Sequence, residues 1–465
     1  MTLQQIFVFA ALGLLAGRLY SRISRPRLLF AASALAVFWL QPAALVRGFD
    51  FWLPAASLSL AALVWALTLP AGASMSRENK LAAAALALGG LLLAATRYLN
   101  TPLLTASRPP QVELVAALVA VLAGLAWLAA RSLRGRAAVL GAASIAILAV
   151  LIALKAEPLA RGLSAWLRSL GGQDPALATA LDINWLGFSY IAFRLVHTLR
   201  DRAAGRLPQL GLRDFVTYIV FFPALTAGPI ERVERFVPQL HERFLLGAAE
   251  LQAAGQRLVT GLFMKFVLAD ALAYFALNPT LGAQTHSTVW MWVLLIAYAW
   301  RIFFDFAGYT HIAIGLGLLF GVRLPENFAR PYSQPNLTAF WNSWHITLAQ
   351  WFRAYFFNPL TRFLRTHNWP VWAVILVGQV STMALIGLWH GVTLNFLIWG
   401  LWHGVGLFLH SQFAAARKGR PAPARWQHAL SVAGTFLYVA LGWVWFVLPQ
   451  PAQALHVLRV LFGSG

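Results

Sequence analysis

Two histidines set among aromatic and small residues carry the strongest candidate chemistry in this sequence. His390 stands in Leu388-Trp389-His390-Gly391, and His345 closes Phe340-Trp341-Asn342-Ser343-Trp344-His345. A neutral imidazole titrates close to physiological pH, which makes it a natural general base for a hydroxyl nucleophile. Gly391 would let another backbone or a ligand come close to His390, while Trp389 walls off one side. The same residue types fit a buried histidine bonded to a carbonyl, and spacing alone leaves both readings open. The Leu-Trp-His-Gly-Val of residues 388–392 recurs at 401–405. On one continuous helix, the thirteen residues from His390 to His403 advance about 220° beyond whole turns. The two would then lie on different faces, so His403 is left out of the expected site.

At helical spacing, Trp341, His345, Leu348 and Phe352 fall on one face. An interfacial aromatic belt with an incidental polar residue gives the same pattern. Asp305 lies between two phenylalanines, and Arg301 stands four residues earlier, at the favourable spacing for a structural ion pair. Arg194 with His197, and Lys265 with Asp270, read as glue within or between helices. No metal site is expected, because there is no HExxH pattern and no carboxylate cluster near the histidines. Phosphate-cradling loops, a dinucleotide fingerprint and a GxSxG elbow are also missing. The chain has no cysteine, which excludes disulfides, thiolate ligands and a Cys-bound acyl group.

The elements that must position these residues are membrane segments. The chain of 465 residues is 60% hydrophobic and 11% charged, against roughly 25% charged in a soluble domain. Its mean hydropathy is +0.67. An all-α polytopic membrane protein with about eleven to thirteen membrane segments, some re-entrant or interfacial, follows from apolar windows of about 20 residues recurring throughout. The net charge of +21 sits in short loops, as orientation by the cytoplasmic face and anionic headgroups requires, and nucleic acid is not an expected partner. Membrane lipid is. Met1 to Gly17 reads as a retained first span, because its basic cluster comes after it.

Six apolar, Ala- and Leu-rich segments are expected near 3–20, 28–46, 52–71, 81–97, 111–130 and 137–154. One set of alternate loops holds Arg18, Arg22, Arg25, Arg27, Arg77, Lys80, Arg131, Arg134, Arg136, Arg200, Arg202, Arg206 and Arg213. The other holds Arg47, Arg97, Arg108, Lys155, Arg161 and Arg168. The heavier set should be cytoplasmic, placing the N-terminus outside. Residues 155–180 suggest an amphipathic connection at the outer surface. Near residue 180 the composition shifts, and later segments carry Pro, Gly and internal charge. Broken backbone at membrane depth survives only in protein or beside water. An N-terminal scaffold, 1–180, and a working core, 181–465, are therefore expected. Spans 289–306 and 307–321, an interfacial or re-entrant stretch 337–357, and segments at 371–388, 394–411, 428–448 and 452–462 complete the expectation.

In order along the core come Gly187-Phe188-Ser189-Tyr190, Phe221-Phe222-Pro223 with Ala227-Gly228-Pro229-Ile230, and Phe304-Asp305-Phe306-Ala307-Gly308-Tyr309. Then follow Pro325-Glu326-Asn327-Phe328, Phe340-Trp341-Asn342-Ser343-Trp344-His345-Ile346 with Trp351-Phe352-Arg353, and Leu388-Trp389-His390-Gly391. This ordered set resembles the membrane-bound O-acyltransferase (MBOAT) family, in the bacterial branch that holds alginate O-acetylase, peptidoglycan O-acetyltransferase and the teichoic-acid D-alanyl transfer protein. The resemblance covers about residues 183–410. It implies a helical bundle around a central tunnel, and transfer of an acyl group, most simply acetyl, to a hydroxyl of an exported or envelope glycan. No permanently bound cofactor is implied, only a cytoplasmic thioester donor, acetyl-CoA or an acyl carrier, with the glycan or an extracytoplasmic acyl-relay protein as partner. A bacterial inner membrane is the implied location.

By the same resemblance His390 is the base, and His345 the donor-side or positioning group. Trp341, Trp344, Trp389, Asn342 and Arg353 are the expected substrate contacts, with Asp305 and Arg301 structural. The chain departs from the family where Asn342 and Ser343 stand for a frequent pair of arginines, and where Ala354 follows Arg353 in place of an aspartate. D-alanyl or lipid acyl transfer is the alternative within this chemistry. A secondary transporter shares the broken helices and membrane-depth charges, but its usual internal repeat is at odds with two halves so different in composition.

Overall fold

The structure, a computed structural model, describes residues 1–465 except 21–23, 71, 73–74, 100–102, 418, 420–423 and 464–465. Arg22, one of the expected loop charges, lies outside the described residues. Among the described residues there is no β-strand, only one isolated bridge between Phe328 and Trp344. The fold is all-α. Seven helices among the described residues are long and apolar enough to cross a membrane.

The first six segments form as hydropathy dictates: α1 (Leu3–Leu19), α2 (Arg25–Leu40), α3 (Phe49–Thr68), α4 (Arg77–Ala95), α5 (Val112–Leu128) and α6 (Ala137–Lys155). Thr2 caps α1 through a reciprocal box with Gln5, satisfying two amides that the first turn leaves open. The amphipathic connection is α7 (Glu157–Leu170). Its Arg168 donates to the buried Asp182 carboxylate at 2.6 Å, beside Ser164 at the same distance.

Polar-marked helices follow: α8 (Phe188–Ala203), α9 (Leu212–Val220), α10 (Val233–His241), α11 (Ala248–Phe263), and the short α12 (Asp270–Ala273) and α13 (Pro279–Gln284). Helix α14 (Thr288–Leu319) is one unbroken helix of 32 residues. The expected division of this stretch into spans 289–306 and 307–321 is therefore corrected. Gly308, Gly315 and Gly317 do not break it; Gly308 instead provides close approach, since a methyl there would lie 2.8 Å from the Lys265 backbone nitrogen.

Next come α15 (Leu337–Trp341), α16 (Ile346–Phe352), α17 (Asn358–Thr366), α18 (Val371–His390), α19 (Leu394–Ala416), α20 (Arg425–Val447) and α21 (Pro451–Leu461). The chain packs as two compact units. One comprises residues 1–256 and 313–324, the other 257–312 and 325–465. The compositional change near residue 180 falls inside the first unit. Both histidines of interest belong to the second.

Candidate active site

His345 does not lie on a helix with Trp341, so the expected shared face is corrected. Helix α15 ends at Trp341, and His345 is the residue before α16, with φ 42° and ψ 53°. That left-handed conformation costs an L-residue about 1–2 kcal/mol, so neighbouring groups must hold it. Asn327, fully buried, does so. Its backbone carbonyl accepts from Ile346 N at 3.0 Å, and its side-chain oxygen accepts from Thr347 N at 3.2 Å and Thr347 Oγ1 at 2.6 Å. Ser343 adds a carbonyl to Ala329 N at 2.9 Å. The Pro325–Phe328 motif is thus the clamp on the histidine loop. Asn327 stands in a motif that the sequence singles out, but its role depends on pairings 19 and 20 residues along the chain that no local pattern displays.

The His345 imidazole is buried and meets the Phe306 ring edge-on at 4.6 Å and Trp389 at 6.0 Å. Its Nε2 has no hydrogen-bond partner among the described residues. Apolar burial with no charged partner favours the neutral imidazole, the form a base needs. Trp344 is buried in an aromatic layer with Phe340, Tyr332 and Trp443, at centroid distances of 5.7, 5.7 and 5.1 Å. It supports the loop rather than facing either histidine.

His390 is the last residue of α18 and is half-buried. Gly391 breaks the helix, and α19 returns antiparallel to α18. A methyl on Gly387 would collide with the Phe396 carbonyl, one on Gly400 with the Met383 carbonyl, and one on Gly404 would lie 2.7 Å from the Val380 Cα. The glycines let the two helices touch along their backbones. Four rings surround the His390 imidazole: Trp389 at 4.7 Å, Phe446 at 4.8 Å, Trp399 at 5.5 Å and Phe396 at 5.9 Å. Trp389 is therefore common to His390 and His345.

The register argument against His403 assumed one helix, and the break at Gly391 overturns it. His403 is fully buried on α19, 5.0 Å from Trp399 and 5.2 Å from Trp341. Neither of its ring nitrogens has a hydrogen-bond partner among the described residues. Room for the ring comes from Gly442, where a methyl would fall 2.9 Å from His403 Nε2. Through Trp399 it belongs to the same aromatic cluster as His390.

Trp341, Asn342 and Arg353 line a cleft of about 190 Å³ together with Gln379 and Thr382. Arg353, in a one-turn π-helical widening after α16, donates to Asn342 Oδ1 at 2.7 Å. The ion pair expected between Arg301 and Asp305 is not formed. Asp305 pairs with Lys265, which also replaces the expected partnership of Lys265 with Asp270. The close crossing at Gly261 and Gly308 brings the π-widened segment 264–269 beside α14, and this long-range approach wins over helical spacing.

In the first unit, Arg194 bonds the carbonyls of Ile219 and Ala224 at 2.8 and 3.0 Å, the expected glue. His197 is different. Its Nε2 lies 3.0 Å from Asp201 and 3.5 Å from Glu234, so a carboxylate cluster does stand beside a histidine, contrary to expectation. The three offer ligand atoms within 4.8 Å of one another. Arg206 and Arg232 already sit on Asp201, at 2.7 and 3.3 Å. Balanced in this way, the group is an ion-pair network.

With this geometry in hand, the chain can be set beside known proteins. It is 34% identical over 273 residues to a teichoic acid D-alanyltransferase of Bacillus subtilis, covering 57% of this chain and 69% of that protein. A probable alginate O-acetylase of Pseudomonas putida is 32% identical over 297 residues, 63% of this chain and 57% of that one. A peptidoglycan O-acetyltransferase of Helicobacter pylori is 32% identical over 252 residues, 54% of this chain and 46% of its own. The chain thus spans about half the length of the two O-acetylating relatives. The sequence profile of the membrane-bound O-acyltransferase family matches residues 118–448, a range that includes His345, His390 and the aromatic cluster around them, and the chain belongs to that family.

Proposed function

We propose that this protein transfers an acyl group, most simply acetyl, from a cytoplasmic thioester donor to a hydroxyl of an exported or envelope glycan, in a bacterial inner membrane. His390 is the general base, and His345 positions the donor side. The observation that carries the reading is that both histidines contact Trp389 within one aromatic cluster. A base is needed because a sugar hydroxyl is a weak nucleophile, and an enclosed apolar site restrains thioester hydrolysis. The three relatives support the reaction class, two being named for O-acetyl transfer to a glycan. Trp341, Asn342 and Arg353 line the cleft we assign to the donor. The reading invokes no bound cofactor beyond the thioester, and an extracytoplasmic relay protein is the alternative recipient of the acyl group.

D-alanyl transfer is the second reading, favoured by the similarity to the teichoic acid D-alanyltransferase. Glycan ester content in cells carrying wild type or His390→Ala tests the assignment. Loss of general-base catalysis should lower acylation by about 10²–10⁴-fold, and wild-type ester levels in the variant would refute it. Chemical identification of the ester as acetyl or alanyl decides between the two readings.

A further inference from the structure

We infer that Phe446, backed by Phe396, sets the upper length of the acyl group and restricts the protein to short acyl donors. This rests on the proposed role of His390. In the transfer, the acceptor oxygen bonds the acyl carbonyl carbon and the carbon–sulfur bond breaks. The hydroxyl proton passes to His390 and then to the leaving thiolate. The attacking oxygen must lie within about 3 Å of the imidazole, and the carbonyl carbon within about 3.5 Å of that oxygen. We place the first carbons of the acyl chain against the four aromatic rings, whose centroids lie 4.7 to 5.9 Å from the imidazole.

The walls of this shell differ in how firmly they are held. Phe396 cannot retreat, because its ring lies over Gly391, where a methyl would come within 2.7 Å, and its backbone presses on Gly387. Trp399 is fully buried and packed on Trp443 at 5.9 Å. Phe446 enters from the last turn of α20, wedged between Phe396 at 5.1 Å and Trp399 at 5.4 Å, and it is only half-buried. It is the wall that a shorter side chain would open. One methylene too many in an apolar pocket disfavours a substrate by about 10–200-fold, so a four-carbon chain should be rejected.

The test is a competition. Purified protein in nanodiscs receives equimolar acetyl and butyryl thioesters of N-acetylcysteamine with alginate oligosaccharides as acceptor, and mass spectrometry counts the two esters. Wild type should give almost only acetyl ester. Phe446→Ala should raise the butyryl-to-acetyl ratio at least about tenfold, with Phe446→Leu between. Because both donors compete for the same molecules, partial unfolding of a variant lowers total product and leaves the ratio unmoved. Equal use of both donors by wild type, or the wild-type ratio in both variants, overturns the inference while acyl transfer stands. Wild type that transfers neither group to the oligosaccharides overturns the reading of direct transfer to a glycan, and the inference with it.

Discussion

The conformation of His345 is unusual for its residue type. It holds φ at 42°, which glycine adopts freely and other L-residues adopt at a cost. Strain of this kind persists where surrounding bonds over-determine it, and the Asn327 clamp supplies those bonds. Removal of the imidazole should therefore separate structure from chemistry. His345→Gly relieves the backbone and His345→Ala does not, so Gly should be the more stable of the two by about 1 kcal/mol. Both should lose acyl transfer, since neither replaces the ring between Phe306 and Trp389. Thermal unfolding in detergent, paired with an ester assay, reads both quantities. An Ala variant at least as stable as the Gly variant would show that the left-handed geometry carries no strain. Asn327→Ala should act on the same loop from outside, lowering activity although it touches neither ring.

At the scale of elements, the α18–α19 hairpin depends on backbone contact through glycine. A methyl at Gly387 or Gly400 meets a carbonyl oxygen of the opposite helix, and backbone cannot swing aside as a flexible side chain can. Each Gly→Ala change should destabilise by about 1–3 kcal/mol or more, with the aromatic shell of His390 displaced. Gly434 on α20, which has open space around it, is the control and should tolerate Ala. Differential scanning of the three variants checks the ranking. The first six apolar helices were legible, because hydropathy over about 20 residues is a local property; α1 to α6 formed where the apolar windows lie. The break between Trp341 and His345 was not. Asn342 and Ser343 carry no strong stop signal, and the turn is fixed by Asn327 from a separate stretch. Likewise Lys265 reaches Asp305 only because two glycines let their helices touch, and ring contacts to Phe396 and Phe446 require the hairpin to exist. The histidines were visible as residue types, but which of them share a cluster was decided by the fold.

Across the whole molecule charge is scarce and mostly basic, which makes the buried, carboxylate-bearing His197 network a determinant of stability outside the long apolar spans. The Tyr218 hydroxyl donates to the Glu231 carbonyl at 3.0 Å, so at 3.2 Å it accepts from His197 Nδ1. Nε2 faces the carboxylates of Asp201 and Glu234. Both ring nitrogens are thus placed to donate, which only the protonated imidazole does. Burial pushes the pKa down, but hydrogen bonds to Asp201 and Glu234 outweigh it and raise the group above its ordinary value. Arg206 and Arg232 temper the pull of Asp201 without reversing it. With the folded pKa above the unfolded one, the native state holds the extra proton between the two values, and stability falls as pH rises through that window. The contribution is fully present below about pH 6.5 and is lost above the folded pKa. Thermal stability in detergent should therefore decline in wild type as pH rises above about 6.5. His197→Gln, which bonds Tyr218 and Asp201 without titrating, should be less stable than wild type at the acid end and should flatten the slope. Parallel profiles for the two proteins would place the pH dependence elsewhere.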